Sequence, residues 1–186
     1  ADKRRGVVGS FLAWKVAGAK AAAGGSLQEC KAAVEKVNNN TRTLGVALSP
    51  CTVPAKGTPT FTLADDEMEY AVGHHGEAGT EKIKIMAADD ITEKMTVQII
   101  EDLPYQSGDE VAVLINGLGG TPQLELYICY RKVKKMLGER NISIGHSYVG
   151  EFFTGLEMAG FSVTLMKLDS ELKELIAAPA DTPCFK

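Results

Sequence analysis

Residues 111–115, Val-Ala-Val-Leu-Ile, form an unbroken apolar run, and residues 142–149 form a second strand-like segment after it. Between them lie a glycine loop, Asn116-Gly117-Leu118-Gly119-Gly120-Thr121-Pro122, and a helical pattern that runs to about Leu137 and is capped by Gly138. Pro122 is placed for the first helical turn, where a missing amide costs nothing. A strand, a helix and a strand at this spacing imply parallel neighbours joined by a right-handed crossover. No other part of the chain limits the fold as much.

The remaining elements follow from local patterns. Residues 6–23 place Val7, Phe11, Leu12, Val16, Ala19 and Ala23 at helical spacing, and Gly24-Gly25 ends the run. Ser26-Leu27-Gln28-Glu29 reads as a capping box opening a second helix to about Asn38. Residues 43–48 are a short strand, residues 49–59 a proline-rich loop, and residues 66–75 and 81–86 two alternating strands with Ala78-Gly79-Thr80 as their turn. Asp89-Asp90 caps a third helix bearing Ile91, Met95, Ile99 and Ile100. Residues 151–160 connect to a strand at 161–168, and a last helix covers 169–177. The expected fold is a single α/β domain over residues 1–186, in two layers, with a mixed β-sheet and helices mainly on one face.

Composition narrows the function classes. A net charge of −4 without a block of like charge gives no basic stripe, so no nucleic-acid partner is expected. No apolar run reaches membrane length, and no signal peptide opens the chain, so a cytoplasmic protein without membrane contact is expected. Cys30, Cys51, Cys129 and Cys184 show no metal-ligand spacing and are expected to be reduced thiols, buried or bystanders in all four cases, although the proline-flanked loop of Cys51 alone hints at exposure. No metal site is expected. The first residue is Ala1 rather than methionine, which points to processing or to a piece of a longer chain.

Two of the three histidines stand together in Gly73-His74-His75-Gly76-Glu77. On an alternating strand Met68, Tyr70, Val72 and His74 share one face, and Glu69, Ala71, Gly73 and His75 the other. The first face is apolar, so His74 is expected as a buried or rim histidine. His75 falls on the face of small residues, where Gly73 and Gly76 leave room for a ligand. Glu77 could orient its ring by accepting from one nitrogen, leaving the other lone pair for attack or proton transfer. His146, on a strand, is expected to be structural or surface. The loop 116–121 matches no phosphate-binding motif, and a tight strand-to-helix turn explains it better than a phosphate cradle.

Several ordered stretches carry a resemblance. Arg4-Arg5-Gly6-Val7-Val8-Gly9, Gly45-Val46-Ala47-Leu48-Ser49-Pro50-Cys51-Thr52-Val53-Pro54, Pro59-Thr60-Phe61, Asp66-Glu67-Met68-Glu69, Gly73-His74-His75-Gly76-Glu77-Ala78-Gly79, the loop 116–122 and Leu156-Glu157-Met158-Ala159-Gly160 occur along the chain. In that order they resemble the substrate-binding subunit of dihydroxyacetone kinases, and only its C-terminal half. The resemblance implies that His75 adds covalently to the ketone of dihydroxyacetone as a hemiaminal, with Gly76 beside the substrate. The family usually has an aliphatic residue where this chain has His74.

The resemblance also implies partners. Phosphoryl transfer to a terminal hydroxyl would draw on ATP or ADP with Mg on a separate nucleotide-binding kinase subunit or domain, with no cofactor bound by this chain. The lack of a nucleotide motif favours the branch in which a phosphocarrier protein recharges ADP. Family members are homodimers. The general acid and base lie in the N-terminal domain, absent here, so this chain alone is expected to lack kinase activity. A non-catalytic, ketone-binding transcriptional co-activator is the alternative the family also contains, and a phosphate- or nucleotide-binding α/β module is a weaker one.

Overall fold

In the computed structural model, which describes residues 7–74, 77–182 and 185, the buried run becomes β4 (Glu110–Gly117) and sits inside the sheet. The other elements are α1 (Gly9–Ala22), α2 (Leu27–Asn40), β1 (Thr41–Ala47), β2 (Glu67–Tyr70), β3 (Glu81–Lys84), α3 (Ala88–Asp102), α4 (Gln123–Glu139), β5 (Ser143–Gly150), β6 (Gly160–Lys167) and α5 (Ser170–Ala177). Six strands make one sheet in the order β3-β2-β1-β6-β4-β5. Only β4 and β5 run parallel, with Val113 beside Ser147 and Asn116 beside Gly150, which is the strand-helix-strand unit expected from the sequence. β6 lies antiparallel between β4 and β1. The α/β class and the mixed sheet are as expected.

The layering is not. Alternate residues of β4 enter different cores: Val111, Val113 and Ile115 pack with α3 and α4, whereas Ala112 and Leu114 pack with α1, α2 and α5. Helices therefore cover both faces, in three layers rather than two. The reason is visible in β4, whose residues 111–115 are apolar without alternation, as a strand buried on both sides requires. Full burial of Val113, Leu114 or Ile115 contributes about 1.5–3 kcal/mol each.

Local signals explain the helix ends unevenly. Ser26 and Glu29 form the expected capping box, with the Glu29 amide donating to the Ser26 hydroxyl and the Ser26 amide to the Glu29 carboxylate at 2.7 Å. Asp169 caps α5 through the Leu172 amide at 2.8 Å. Asp89 and Asp90, expected as a cap, lie inside the first turn of α3, where their charge suits the helix dipole, and Ala87 holds the cap position. Pro122 is the N-cap of α4 rather than a first-turn residue, and Gly138 lies within that helix, which continues to Glu139.

Two expectations around the histidines also change. β2 stops at Tyr70 because Ala71 adopts φ 61°, a left-handed conformation that breaks strand alternation. Val72 therefore leaves the Met68 and Tyr70 cluster and joins a third one, with Val7, Ala47, Cys51, Leu118 and Met158. The face shared by Met68, Tyr70, Val72 and His74 does not exist as a strand face. Tyr70 pairs with Glu81, the described residues between them, 71–74 and 77–80, lie outside any strand, and Ala78-Gly79-Thr80 is only the return leg of this loop. Cys51, expected with the other cysteines to be a buried or bystander thiol although its proline-flanked loop hints at exposure, is 1% exposed, because the proline-rich loop folds back onto that third cluster. No helix among the described residues is long and apolar enough to cross a membrane.

Candidate functional site

The histidine loop is fastened at both legs. On the way out, the Val72 amide donates to the Gly45 carbonyl at 3.2 Å, continuing along β1 past the end of β2. At the neck the Gly73 amide donates to the Glu77 carbonyl at 3.3 Å. On the way back, the Thr80 amide donates to the Tyr70 carbonyl and the Gly79 amide to Glu69 Oε1, both at 2.9 Å. A Cβ at Gly79 would lie 2.0 Å from the Tyr70 carbonyl oxygen, so only glycine lets the return leg come this close.

Of the residues singled out in sequence, His75 and Gly76 lie outside the described residues. Glu77 is exposed, and its carboxylate lies across Gly73, since a Cβ there would be 2.2 Å from Glu77 Oε2. His74 is buried, as expected for the less accessible of the pair, though in a turn rather than on a strand. Its ring stands edge-on to Phe153, with centroids 4.2 Å apart. Its carbonyl leaves no room for a side chain at Gly155, where a Cβ would approach to 2.6 Å.

The segment that supports His74 is set by a residue whose role the glycine motif conceals. Asn116 is fully buried near the end of β4, and both polar atoms of its side chain bond to the chain after β5. Its Nδ2 donates to the Phe153 carbonyl at 2.8 Å, while the Phe152 and Phe153 amides donate to its Oδ1 at 2.8 and 2.9 Å. A buried amide side chain with partners on one segment fixes that segment's position. The detectable signal was a polar residue ending an apolar strand. Trp14 of α1, itself exposed, packs on the same Phe153 ring at 5.4 Å.

Glu151, also missed in sequence, stands beside this segment with its carboxylate over Gly117, where a Cβ would be 2.2 Å from Oε1. Burial pushes its carboxyl above the usual range, and the Gly119 amide acts in the opposite direction.

The glycines of the loop 116–121 serve backbone packing. Gly119, at φ 119°, would place a Cβ 1.7 Å from the Leu156 carbonyl oxygen. The Leu118 and Gly120 amides donate to the carbonyls of Gly160 and Met158, and Thr121 both donates to the Gly160 carbonyl and accepts from its amide. Amides used in this way favour the tight turn over a phosphate cradle. His146 lines an open groove between α4 and β5, together with Tyr130, Lys134 and Ile144, and none of the lining residues belongs to the histidine loop. Among the described residues no three His, Cys, Asp or Glu side chains are grouped to hold a metal.

Comparison with known proteins agrees with this architecture. The chain is 44% identical, over 185 residues, to the dihydroxyacetone-binding subunit DhaK of a PTS-dependent dihydroxyacetone kinase from Listeria innocua, covering all of this chain and 56% of that protein. It superposes with a TM-score of 0.87 on the dihydroxyacetone kinase operon co-activator DhaQ, at 30% identity, over 94% of this chain and 54% of that one. With the dihydroxyacetone kinase of C. freundii, solved with AMP-PNP and Mg2+, the TM-score is 0.83 at 28% identity, over 94% of this chain and 32% of that one. The chain thus spans about half, or less, of the length of the relatives it matches. The Dak1 domain model matches residues 1–184, and the chain belongs to the Dak1 domain family.

Proposed function

We propose that this chain supplies the ketone-capturing half of a dihydroxyacetone kinase active site, with His75 as the covalent nucleophile. The supporting observation is the histidine loop itself. It is tied at the neck and on both legs, in a chain 44% identical to a dihydroxyacetone-binding subunit. A nucleophile on a loop anchored at its neck and both legs meets its substrate with little freedom left to lose.

In the proposed step an imidazole nitrogen lone pair adds to the carbonyl carbon of dihydroxyacetone, and the C=O π electrons pass to oxygen. The oxygen gains a proton as the other ring nitrogen loses one, so nothing leaves and the adduct has the mass of protein plus the intact ketone. Glycerol offers the same hydroxyls and no carbonyl, so capture selects the ketone where hydrogen bonds alone discriminate weakly. Glu77, lying across Gly73, is assigned to orienting the His75 ring, with Gly76 beside the substrate.

Phosphoryl transfer to the terminal hydroxyl of the held ketone would give dihydroxyacetone phosphate. It requires an N-terminal domain and a nucleotide-binding partner carrying ATP or ADP with Mg, a phosphocarrier protein acting through ADP. The likeness to a PTS-dependent subunit supports that branch. We assign the protein to the cytoplasm as a homodimer, and this half alone as inactive in transfer. The co-activator DhaQ shares the fold at a TM-score of 0.87, which supports a second reading, ketone binding that reports to transcription without phosphorylation.

Intact-mass measurement of the full-length protein with dihydroxyacetone tests the capture. A mass gain equal to the whole ketone, lost in His75→Ala and kept in His74→Ala, is expected. A gain short by one water would indicate a lysine Schiff base and overturn the assignment.

A further inference from the structure

Glu69 is the one acidic side chain among the described residues that is buried in the core, at 4% exposure. It lies in β2, flanked in register by Ala47 of β1 and Lys82 of β3. Its Oε1 accepts the Gly79 amide at 2.9 Å, and a Cβ at Gly79 would come to 3.2 Å from its Cγ. Its Oε2 is equally buried and accepts from no donor among the described residues.

An acceptor of this kind is a poor device for stability. Burying a carboxylate oxygen without a donor costs desolvation that no contact returns, and an amide or an apolar side chain at the same place would avoid it. A charge-assisted bond from a carboxylate to a backbone amide is, in contrast, a strong way of fixing one point of the main chain. That point is the return leg of the histidine loop, two residues after Glu77 and nine before Ala88, where α3 begins. The steric fit is independent of the bond. Gly79 accepts no side chain because the Tyr70 carbonyl lies directly against it, so this leg has one seat and Glu69 holds it there.

We propose that Glu69 is a positioning residue, which sets the conformation of loop 71–80 through the Gly79 amide and so holds His75 in place to capture the ketone. This rests on the proposed role of His75. Glu69 touches no reacting atom; it acts through three residues of backbone, from Gly79 to Glu77 and across the neck to Gly73.

Hydrogen exchange followed by mass spectrometry on the full-length protein, beside dihydroxyacetone retention, separates this from a general loss of stability. In Glu69→Ala, exchange in peptides covering 71–80 should rise about tenfold while peptides covering β4 stay at the wild-type rate, and ketone retention should fall about tenfold. Glu69→Gln keeps an acceptor for Gly79 and should restore both readings. Glu69→Asp, which keeps the charge but withdraws it from Gly79, should resemble alanine, and it is the variant to read if alanine does not fold. Unchanged exchange in 71–80, equal acceleration in β4, or an open loop with full retention would each overturn the proposal. If His75→Ala retains the ketone, the role of His75 fails; the exchange readings still decide whether Glu69 fixes the loop.

Discussion

The His74 ring stands edge-on to the ring of Phe153, 4.2 Å between centroids at 64°, and this contact joins the histidine loop to the segment after β5. His74 thus anchors the loop while its neighbour is assigned the chemistry. Phe153→Ala should cost about 1–2 kcal/mol, since the ring is partly exposed and the aromatic pair itself contributes about 0.5–1.5 kcal/mol. Its effect on dihydroxyacetone retention should exceed that loss of stability. Thermal melts and retention on the same variant check this.

Asn116→Ala removes one donor and one acceptor that together serve three backbone groups of Phe152 and Phe153. Leaving such groups unpaired should cost about 2–4 kcal/mol in denaturant unfolding. Asn116→Asp keeps the acceptor but turns an oxygen toward the Phe153 carbonyl. Its instability should ease on acidification, when the protonated carboxyl can donate there. An Asp variant as stable as wild type at neutral pH would show that the donor does not matter.

Gly79→Ala and Gly119→Ala should each lower stability by about 1–3 kcal/mol, because a Cβ would meet a carbonyl oxygen at 2.0 Å and 1.7 Å respectively. They should differ in function. The first displaces the return leg of the histidine loop and should abolish ketone retention, while the second acts on the turn before α4 and should spare it.

The acid limb of stability should depend on the ion pairs that join α1, α2 and α5. Lys36 and Lys20 hydrogen-bond Glu171 and hold its carboxyl below the usual range. For Asp169 burial works in the other direction, but the Leu172 amide and Lys36 outweigh it and keep its value low as well. A folded value below the unfolded one gives a contribution that is full above the ordinary carboxylate range and lost as pH falls through the depressed values. Lys36→Met should flatten this fall in pH-dependent melts. The groups are partly exposed at the surface, so the effect should be small and should shrink further in high salt.

What the sequence made legible follows from how local each signal was. The unbroken apolar run 111–115 fixed a central strand, and the serine and glutamate of α2 reproduced their capping box in full. The error at the histidines had a single cause: Ala71 takes φ 61°, a conformation that an alanine does not advertise, and it ends β2 five residues early. Burial of His74 was still read correctly, since the 150–155 segment covers it, but for a reason that lay in long-range packing rather than in alternation. Asn116 and Glu69 went unrecognised as supports because their partners, Phe153 and Gly79, are brought near only by the fold. The glycine loop was legible as a turn, and the carbonyls of Leu156 and Glu157 supply the steric reason.

Capture should also follow the protonation of its nucleophile. An imidazolium has no lone pair to add to a carbonyl, so retention should fall on acidification, with a midpoint set by protonation of His75. His74→Ala should leave the midpoint in place within a few tenths of a unit. A midpoint that vanishes in that variant would assign the titration to His74.

The central claim is a bond between one ring nitrogen and one carbon, and it can be observed directly. The full-length protein labelled with 15N in histidine is mixed with dihydroxyacetone carrying 13C at the ketone carbon, and the bound resonance is recorded. The account predicts a tetrahedral carbon split by one-bond coupling to 15N, present in wild type and His74→Ala and absent in His75→Ala. A bound ketone without coupling to nitrogen, or coupling that persists in His75→Ala and disappears in His74→Ala, would contradict it.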